Sequence, residues 1–265
     1  MLTCLVSALV AINGGLFIAN RVELSSQQTM SSERCDIINC EEFERKLVEA
    51  EEARKAAARG FIYLTFDDGP GEFTAELLDI LVENSIKATF FVTMRGDDAL
   101  ITRMFNEGHA VGVHTASHRY DLVYKNAAAY WADAGMVAER ITRLTGETPN
   151  LLRFPGGSSN TVSRKYDDGA KVMSILTAEA GALGYTYFDW NVDSKDAGGA
   201  RTTEEVVANV TSALNHDGDF VVLQHDIKDY SVRAVAEIIE YGFSNGYYFD
   251  RLSVNSFTAH HRVNN

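Results

Sequence analysis

Two adjacent carboxylates, Asp67 and Asp68, close an apolar and aromatic run at residues 61–66 and are followed at once by Gly69 and Pro70. Carboxylates at the end of a buried strand are costly unless a cation or hydrogen bonds compensate them. Two imidazoles, His114 and His118, follow another apolar run at a spacing of four, which puts both within reach of one ion if the segment is helical. Two histidines and a carboxylate leave open positions for water, as a catalytic rather than a structural zinc site does. Such an ion lowers the pKa of its water from about 15.7 to about 7, so hydrolysis becomes feasible at neutral pH while the other aspartate handles protons. Arg153 suits a partner that orients a carboxylate, and His225 suits a general acid whose tautomer Asp196 would hold. Each group also has a plainer reading. Asp-Asp-Gly-Pro can be only a turn, the histidines and His225 surface or core residues, and Arg153 a structural ion pair.

The elements that must position these groups repeat one pattern. Short β-prone runs at 88–92, 110–113, 151–152, 185–192 and 220–223 lead into Thr93, His114, Arg153, the pair Asp193 and Asp196, and His225. A last run covers 247–252. Helical patterns lie between them at 74–84, 99–107, 127–144, 170–183, 203–215 and 232–244. Alternation of this kind builds a parallel sheet with helices outside, and the active site gathers at the C-terminal ends of its strands. Residues 60–255 fall short of the roughly 250 of an eight-stranded barrel. The expected fold is therefore α/β, a distorted seven-stranded (β/α) barrel forming a single catalytic domain.

Composition agrees, since 46% hydrophobic residues suffice to bury one such core. The formal net charge of -13 argues against nucleic acid or an anionic membrane surface as partner, because both require clustered Lys and Arg. Residues 1–20 form an apolar segment in which 2–19 carry no charge, near the length that spans a bilayer, and read as an anchor or a signal. Asn13, Gly14 and Gly15 interrupt it, and no basic residue precedes it. Residues 21–59 read as a polar stalk with a helical part, whose pairs Glu41 with Arg45 and Glu51 with Lys55 form a solvated face. Residues 256–265 are expected to be a tail. All three cysteines, Cys4, Cys35 and Cys40, lie outside the barrel, so thiol catalysis is not expected there, and Cys35 with Cys40 fits either a disulfide or two free thiols.

Over residues 60–250 the chain resembles the polysaccharide deacetylase family with the NodB homology domain, carbohydrate esterase family 4. The motifs appear in order as TFDDGP from Thr65 to Pro70, HTASH from His114 to His118, RFP from Arg153 to Pro155, WNVDSKD from Trp190 to Asp196, and LQH from Leu223 to His225. The resemblance implies Asp67 as base held by Arg153, and Asp68, His114 and His118 as ligands of one divalent ion, Zn or else Co or Mn. His225 would be the acid and Asp196 its partner. Pro155, Gly156, Trp190 and Leu223 would line the substrate and oxyanion region. The implied reaction is attack of metal-bound water on an N-acetyl carbonyl, leaving acetate and a free amino sugar. The run at 156–160, GGSSN, resembles that of Gram-positive peptidoglycan N-acetylglucosamine deacetylases.

Two positions depart from the family, Gly156 where an aromatic residue is common and Ala197 where a Trp is common. The cleft is therefore expected to be wider or lined from elsewhere. Tyr120, Tyr187, Phe188 and Trp190 are candidates to stack a sugar, and each reads more readily as core. The expected partner is an acetylated glycan, peptidoglycan or chitin-like, met outside the cytoplasm by a monomer anchored through residues 2–19 or secreted. An O-acetyl esterase on xylan-type polymers, a small cyclic amide hydrolase and a non-catalytic glycan-binding protein remain alternatives.

Overall fold

The computed structural model describes residues 31–265, with side chains from Glu42 onward. The apolar segment at 2–19, Cys4, and the side chains of Cys35 and Cys40 lie outside the described residues. No helix among the described residues is long and apolar enough to cross a membrane. Contacts divide the chain into two units, one ending at Ala58 and the other running from Arg59 to Asn265. The first holds helix α1 (Ser31–Ala57), where Lys46 meets Glu42, Arg45 meets Glu49 and Lys55 meets Glu52, all at helical spacing. These are exposed pairs, each contributing only a few tenths of a kcal/mol.

The second unit is built on parallel strands: β1 (Phe61–Asp67), β2 (Thr89–Val92), β3 (Ala110–Val113), β4 (Leu151–Leu152), β5 (Thr186–Tyr187), β6 (Val192–Asp193) and β7 (Phe220–His225). Their spatial order is β5-β4-β3-β2-β1-β7-β6, and β8 (Tyr248–Phe249) pairs with the start of β1. Every pairing is parallel. The seven strands of the main path form a curled half-barrel whose edge strands are β5 and β6, in agreement with the expected distorted barrel.

The connecting helices are α2 (Thr74–Glu83), α3 (Asp98–Asn106), α4 (Tyr120–Val123), α5 (Ala127–Thr145), α6 (Val172–Ala182), α7 (Thr203–Ala213), α8 (Asp229–Arg233) and α9 (Val235–Ser244). Their ends have local causes. The side chains of Asp97, Asn126 and Thr202 accept the backbone N–H of Ala99, Ala129 and Glu205, capping α3, α5 and α7. Gly146 ends α5 in the left-handed region, φ 78°, returning its N–H to the Thr142 carbonyl. Tyr130, Ala134, Val137 and Ile141 recur at helical spacing and bury one face of α5.

Alternation along the strands decides what reaches the site. Ile62, Leu64 and Phe66 pack in the larger core with the helices, whereas Tyr63, Phe91, Leu151, Phe188 and Val221 form a separate inner core. Thr65 and Asp67 share the parity of Tyr63, and Leu223 and His225 share that of Val221. The inner row of each strand therefore runs from apolar packing to chemistry at the C-terminal end.

Three expectations are corrected here. The run at 185–192 is two strands at opposite edges of the sheet, because its middle is tied to side chains instead of a neighbouring strand: Arg153 takes the carbonyls of Phe188 and Asp189. The pattern at 232–244 is two helices, α8 and α9, with α4 and a 3-10 turn at Val162–Lys165 in addition. Residues 256–265 belong to the second unit, held by bonds from Asp189 N to the Ala259 carbonyl and from His261 N to Asp189 Oδ2.

Candidate active site

Asp67 ends β1 almost fully buried, 3% exposed, and the guanidinium of Arg153 donates to its Oδ1 at 2.9 Å. Arg153 is itself wholly buried and uses every side of its fork. Nη1 also donates to Thr65 Oγ1, Nε to the Phe188 carbonyl and Nη2 to the Asp189 carbonyl, with the Phe91 ring 4.4 Å from Cζ. It thus orients Asp67 and closes the gap between the two ends of the sheet. Asp67 Oδ2 has no hydrogen-bond partner among the described residues and faces His114 Nε2 at 3.7 Å.

Asp68, His114 and His118 converge one step further out. Asp68 Oδ1 lies 3.6 Å from His114 Nε2 and 3.4 Å from His118 Nε2, and the three ligand atoms all fall within 4.8 Å of one another. Asp68 Oδ1 is buried without a hydrogen-bond partner, a condition costly to leave uncompensated. His114 Nδ1–H donates to the Arg153 carbonyl at 2.9 Å, which fixes the tautomer and leaves the Nε2 lone pair toward Asp68. The donor set, its open side and the orphaned oxygen fit a divalent cation. Burial holds the His118 ring below its ordinary pKa, which favours the neutral form a metal needs. On Asp68 burial alone would raise the carboxyl, and the imidazoles that face it outweigh burial and keep it low.

The two histidines do not share a helix face. They belong to the loop after β3, and Thr115 and His118 adopt left-handed backbone, φ 81° and 52°, as does Asp68, φ 75°. Each such residue costs about 1–3 kcal/mol, which the surroundings must offset. Asp133 on α5 accepts the N–H of Ala116 and Ser117 and pins the loop. Sequence reading missed Asp133, a half-buried acid beside the buried stripe of α5 that carries Tyr130, Ala134 and Val137.

His225 ends β7. Its Nδ1 donates to Asp196 Oδ1 at 2.8 Å, and Asp196 Oδ2 accepts the His225 N–H and the Ser231 hydroxyl. Burial opposes the charged ring, but the Asp196 bond and charge, with Asp67 and Asp68, outweigh it and push the pKa up to about 9. The acid and base candidates thus stand at neighbouring strand ends. Next to His225, Asp226 is wholly buried and its pKa is pushed up to about 7, chiefly by burial, with the Thr74 hydroxyl on Oδ2 at 2.5 Å as a partial counterweight. Its carboxylate lies flush against Gly69, where any Cβ would collide with it.

The remaining expected residues divide. The Pro155 carbonyl accepts the Tyr124 hydroxyl, while Gly156, φ 73°, is exposed with an N–H that no described residue accepts. Leu223 is buried in register with Thr65, so it shapes the floor and does not present itself to a ligand. Trp190 packs against Gly157 and His261, Phe188 is fully buried, and Tyr187 is covered at 4.0 Å by His260. Asp193 stays with its own loop, accepting Lys195 N, and Thr93 holds the turn after Asp68 through the Asp68 and Gly69 carbonyls. Ala197 is exposed.

A curled parallel half-barrel that gathers the Asp67–Arg153 pair, the His225–Asp196 pair and a cluster fitted to a cation at its strand ends has the groups a hydrolase site requires. The sequence model of the polysaccharide deacetylase family matches residues 54–173. A peptidoglycan-N-acetylglucosamine deacetylase of Bacillus cereus is 34% identical over 207 residues, covering 72% of this chain and 69% of the relative. A chitin deacetylase of Colletotrichum lindemuthianum is 32% identical over 202 residues, covering 71% and 76%. Among solved structures, the catalytic domain of peptidoglycan N-acetylglucosamine deacetylase from Eubacterium rectale superposes with a TM-score of 0.74 at 46% identity, covering 77% of this chain and 94% of that one. The chain belongs to the polysaccharide deacetylase family, carbohydrate esterase family 4, and is a deacetylase.

Proposed function

We propose that the protein hydrolyses the N-acetyl group of N-acetylhexosamine residues in a cell-wall glycan, with peptidoglycan N-acetylglucosamine as substrate. The observation that carries this reading is the pairing of Asp67 with Arg153 and of His225 with Asp196 on either side of one cation-binding cluster. The names of the relatives in Bacillus cereus and Eubacterium rectale support the substrate class. A divalent ion held by Asp68, His114 and His118, Zn or else Co or Mn, would supply Lewis acidity at the acetyl carbonyl and a more acidic water.

The chain's own groups do the rest. Asp67, its Oδ1 held by Arg153, takes the proton of the attacking water on Oδ2. The Gly156 N–H donates to the carbonyl oxygen as it gains charge. His225, charged at neutral pH and held through Nδ1, gives its Nε2 proton to the departing nitrogen. Acetate and a free amine result. Such a substrate lies outside the cytoplasm, and residues 2–19 would tether the enzyme there.

The test is acetate release by the full chain, metal-loaded and chelated, from peptidoglycan, chitin oligomers and acetylated xylan in parallel. Chelator-sensitive release from peptidoglycan is expected. Release from xylan alone would replace the reading with an O-acetyl esterase, and silence on all three would leave only glycan binding.

A further inference from the structure

We propose that Tyr120 is a substrate-contact residue whose hydroxyl hydrogen-bonds the bound acetamido sugar beside Gly156. The inference rests on the proposed deacetylase function and adds a residue to its substrate site.

Tyr120 opens α4, two residues beyond His118, and is only half-buried. Its ring is flanked by the His118 ring, centroids 5.6 Å apart, and by Tyr124, stacked at 5.8 Å and 15°. A sugar-stacking platform needs a free ring face, and Tyr120 has neighbours packed around it. Its hydroxyl edge is turned to Gly156. A Cβ built on Gly156 would lie 3.1 Å from Tyr120 Oη, so this hydroxyl sits close against the bare side of Gly156. With φ 73° Gly156 occupies a conformation that suits glycine, and a side chain there would crowd the hydroxyl.

The comparison with Tyr124 is instructive, because the two tyrosines stack yet use their hydroxyls differently. Tyr124 is wholly buried and donates to the Pro155 carbonyl at 2.6 Å, holding the Pro155–Gly156 backbone from within. No described residue hydrogen-bonds the Tyr120 hydroxyl. A phenol can both donate and accept, so a sugar hydroxyl or an acetamide oxygen arriving between Gly156 and the His118 side meets a ready partner. A neutral hydrogen bond of this kind adds affinity in the ground state, so its loss appears in KM.

The decisive variant is Tyr120→Phe, which keeps the ring packing and removes only the oxygen. Two readouts are compared with wild type: KM and kcat for N-acetylated chitin oligomers with metal, and oligomer binding to the chelated full chain by calorimetry. The expected result is a KM raised roughly three- to tenfold, kcat changed by less than about twofold, and binding weakened by the same factor as KM. Melting temperature should stay at the wild-type value. Unchanged KM and binding overturn the proposal, and so does a loss confined to kcat. A wild-type protein that releases no acetate from any N-acetylated glycan defeats the deacetylase reading instead, and oligomer binding then judges Tyr120 alone.

Discussion

Asp67 and His225 are register partners across the parallel pair β1 and β7, so the candidate base and the candidate acid stand side by side on one face of the sheet. Neighbouring strands lie about 4.8 Å apart, a spacing the backbone ladder sets without help from either side chain. Each residue is held from its outer side, Asp67 by Arg153 and His225 by Asp196. The two are therefore held in place by different partners.

Replacing Asp67 by Asn should leave the shape and remove the base. A positioned general base contributes about 10²- to 10⁴-fold, so acetate release should fall by that order while bound metal, measured by elemental analysis, stays at the wild-type ratio. Near-normal turnover in the variant would mean that the proton goes elsewhere.

The metal assignment predicts a linkage that needs no activity. An ion bound only by the folded state raises stability by about 2.7 kcal/mol at a free concentration of 100 times Kd. Added Zn should raise the melting temperature of the wild-type protein and chelator should reverse it. His114→Ala and His118→Ala should lose both responses, and a shift that survives in both variants would place the ion at another site.

His225 and Asp196 form a pair whose stabilising effect depends on pH. The folded pKa of His225 is raised to about 9, so its contribution is full below the unfolded value of about 6.5 and is lost as pH climbs toward 9. Asp196 is lowered, because the His225 bond and charge outweigh burial, so its contribution holds above about pH 4 and is lost below its folded value. Asp196→Asn in metal-free protein should therefore cost most melting temperature near pH 5 to 6 and progressively less toward pH 9. A deficit independent of pH would contradict the ion pair.

Asp226 carries the opposite sign. Burial raises this carboxyl to about 7, so folding prefers the protonated form and stability drops as pH rises from about 4 through 7. Asp226→Asn keeps the shape without the buried charge. It should melt above wild type near pH 8 and match it near pH 4, as scanning calorimetry would register. Lower stability at both values would show that Thr74 needs the carboxylate.

Arg153→Lys should destabilise by about 3 kcal/mol, although the charge is kept. Lysine cannot reproduce a fork that serves Asp67, Thr65 and the carbonyls of Phe188 and Asp189 together. Chemical denaturation would measure the loss, and a cost under about 0.5 kcal/mol would reduce Arg153 to a surface-like pair.

Much of this was legible along the chain. The rule that apolar runs end in chemistry identified Asp67, His114, Arg153 and His225, because strand burial and the polar break that ends it are both local properties. Helix positions followed from periodicity, as with the pattern at 127–144 for α5. His114 and His118 come together with Asp68, but not through the helix that their spacing allowed. Spacing of four permits a helix without requiring one, and here Thr115 and His118 turn left-handed under the hold of Asp133.

The sequence by itself determined the order of strands and helices, the residue types at the strand ends and the net charge of -13, because each depends on neighbours in the chain or on summed charge. Only the tertiary structure decided that 188–191 bridges the two sheet edges, that Leu223 is floor, that the residues after 255 close over Asp189, and that Tyr120 faces Gly156 with its hydroxyl free. These depend on how the sheet curls. Curvature is a collective result of strand twist and inner-core packing, so contacts between residues far apart in the chain leave no periodic trace in it.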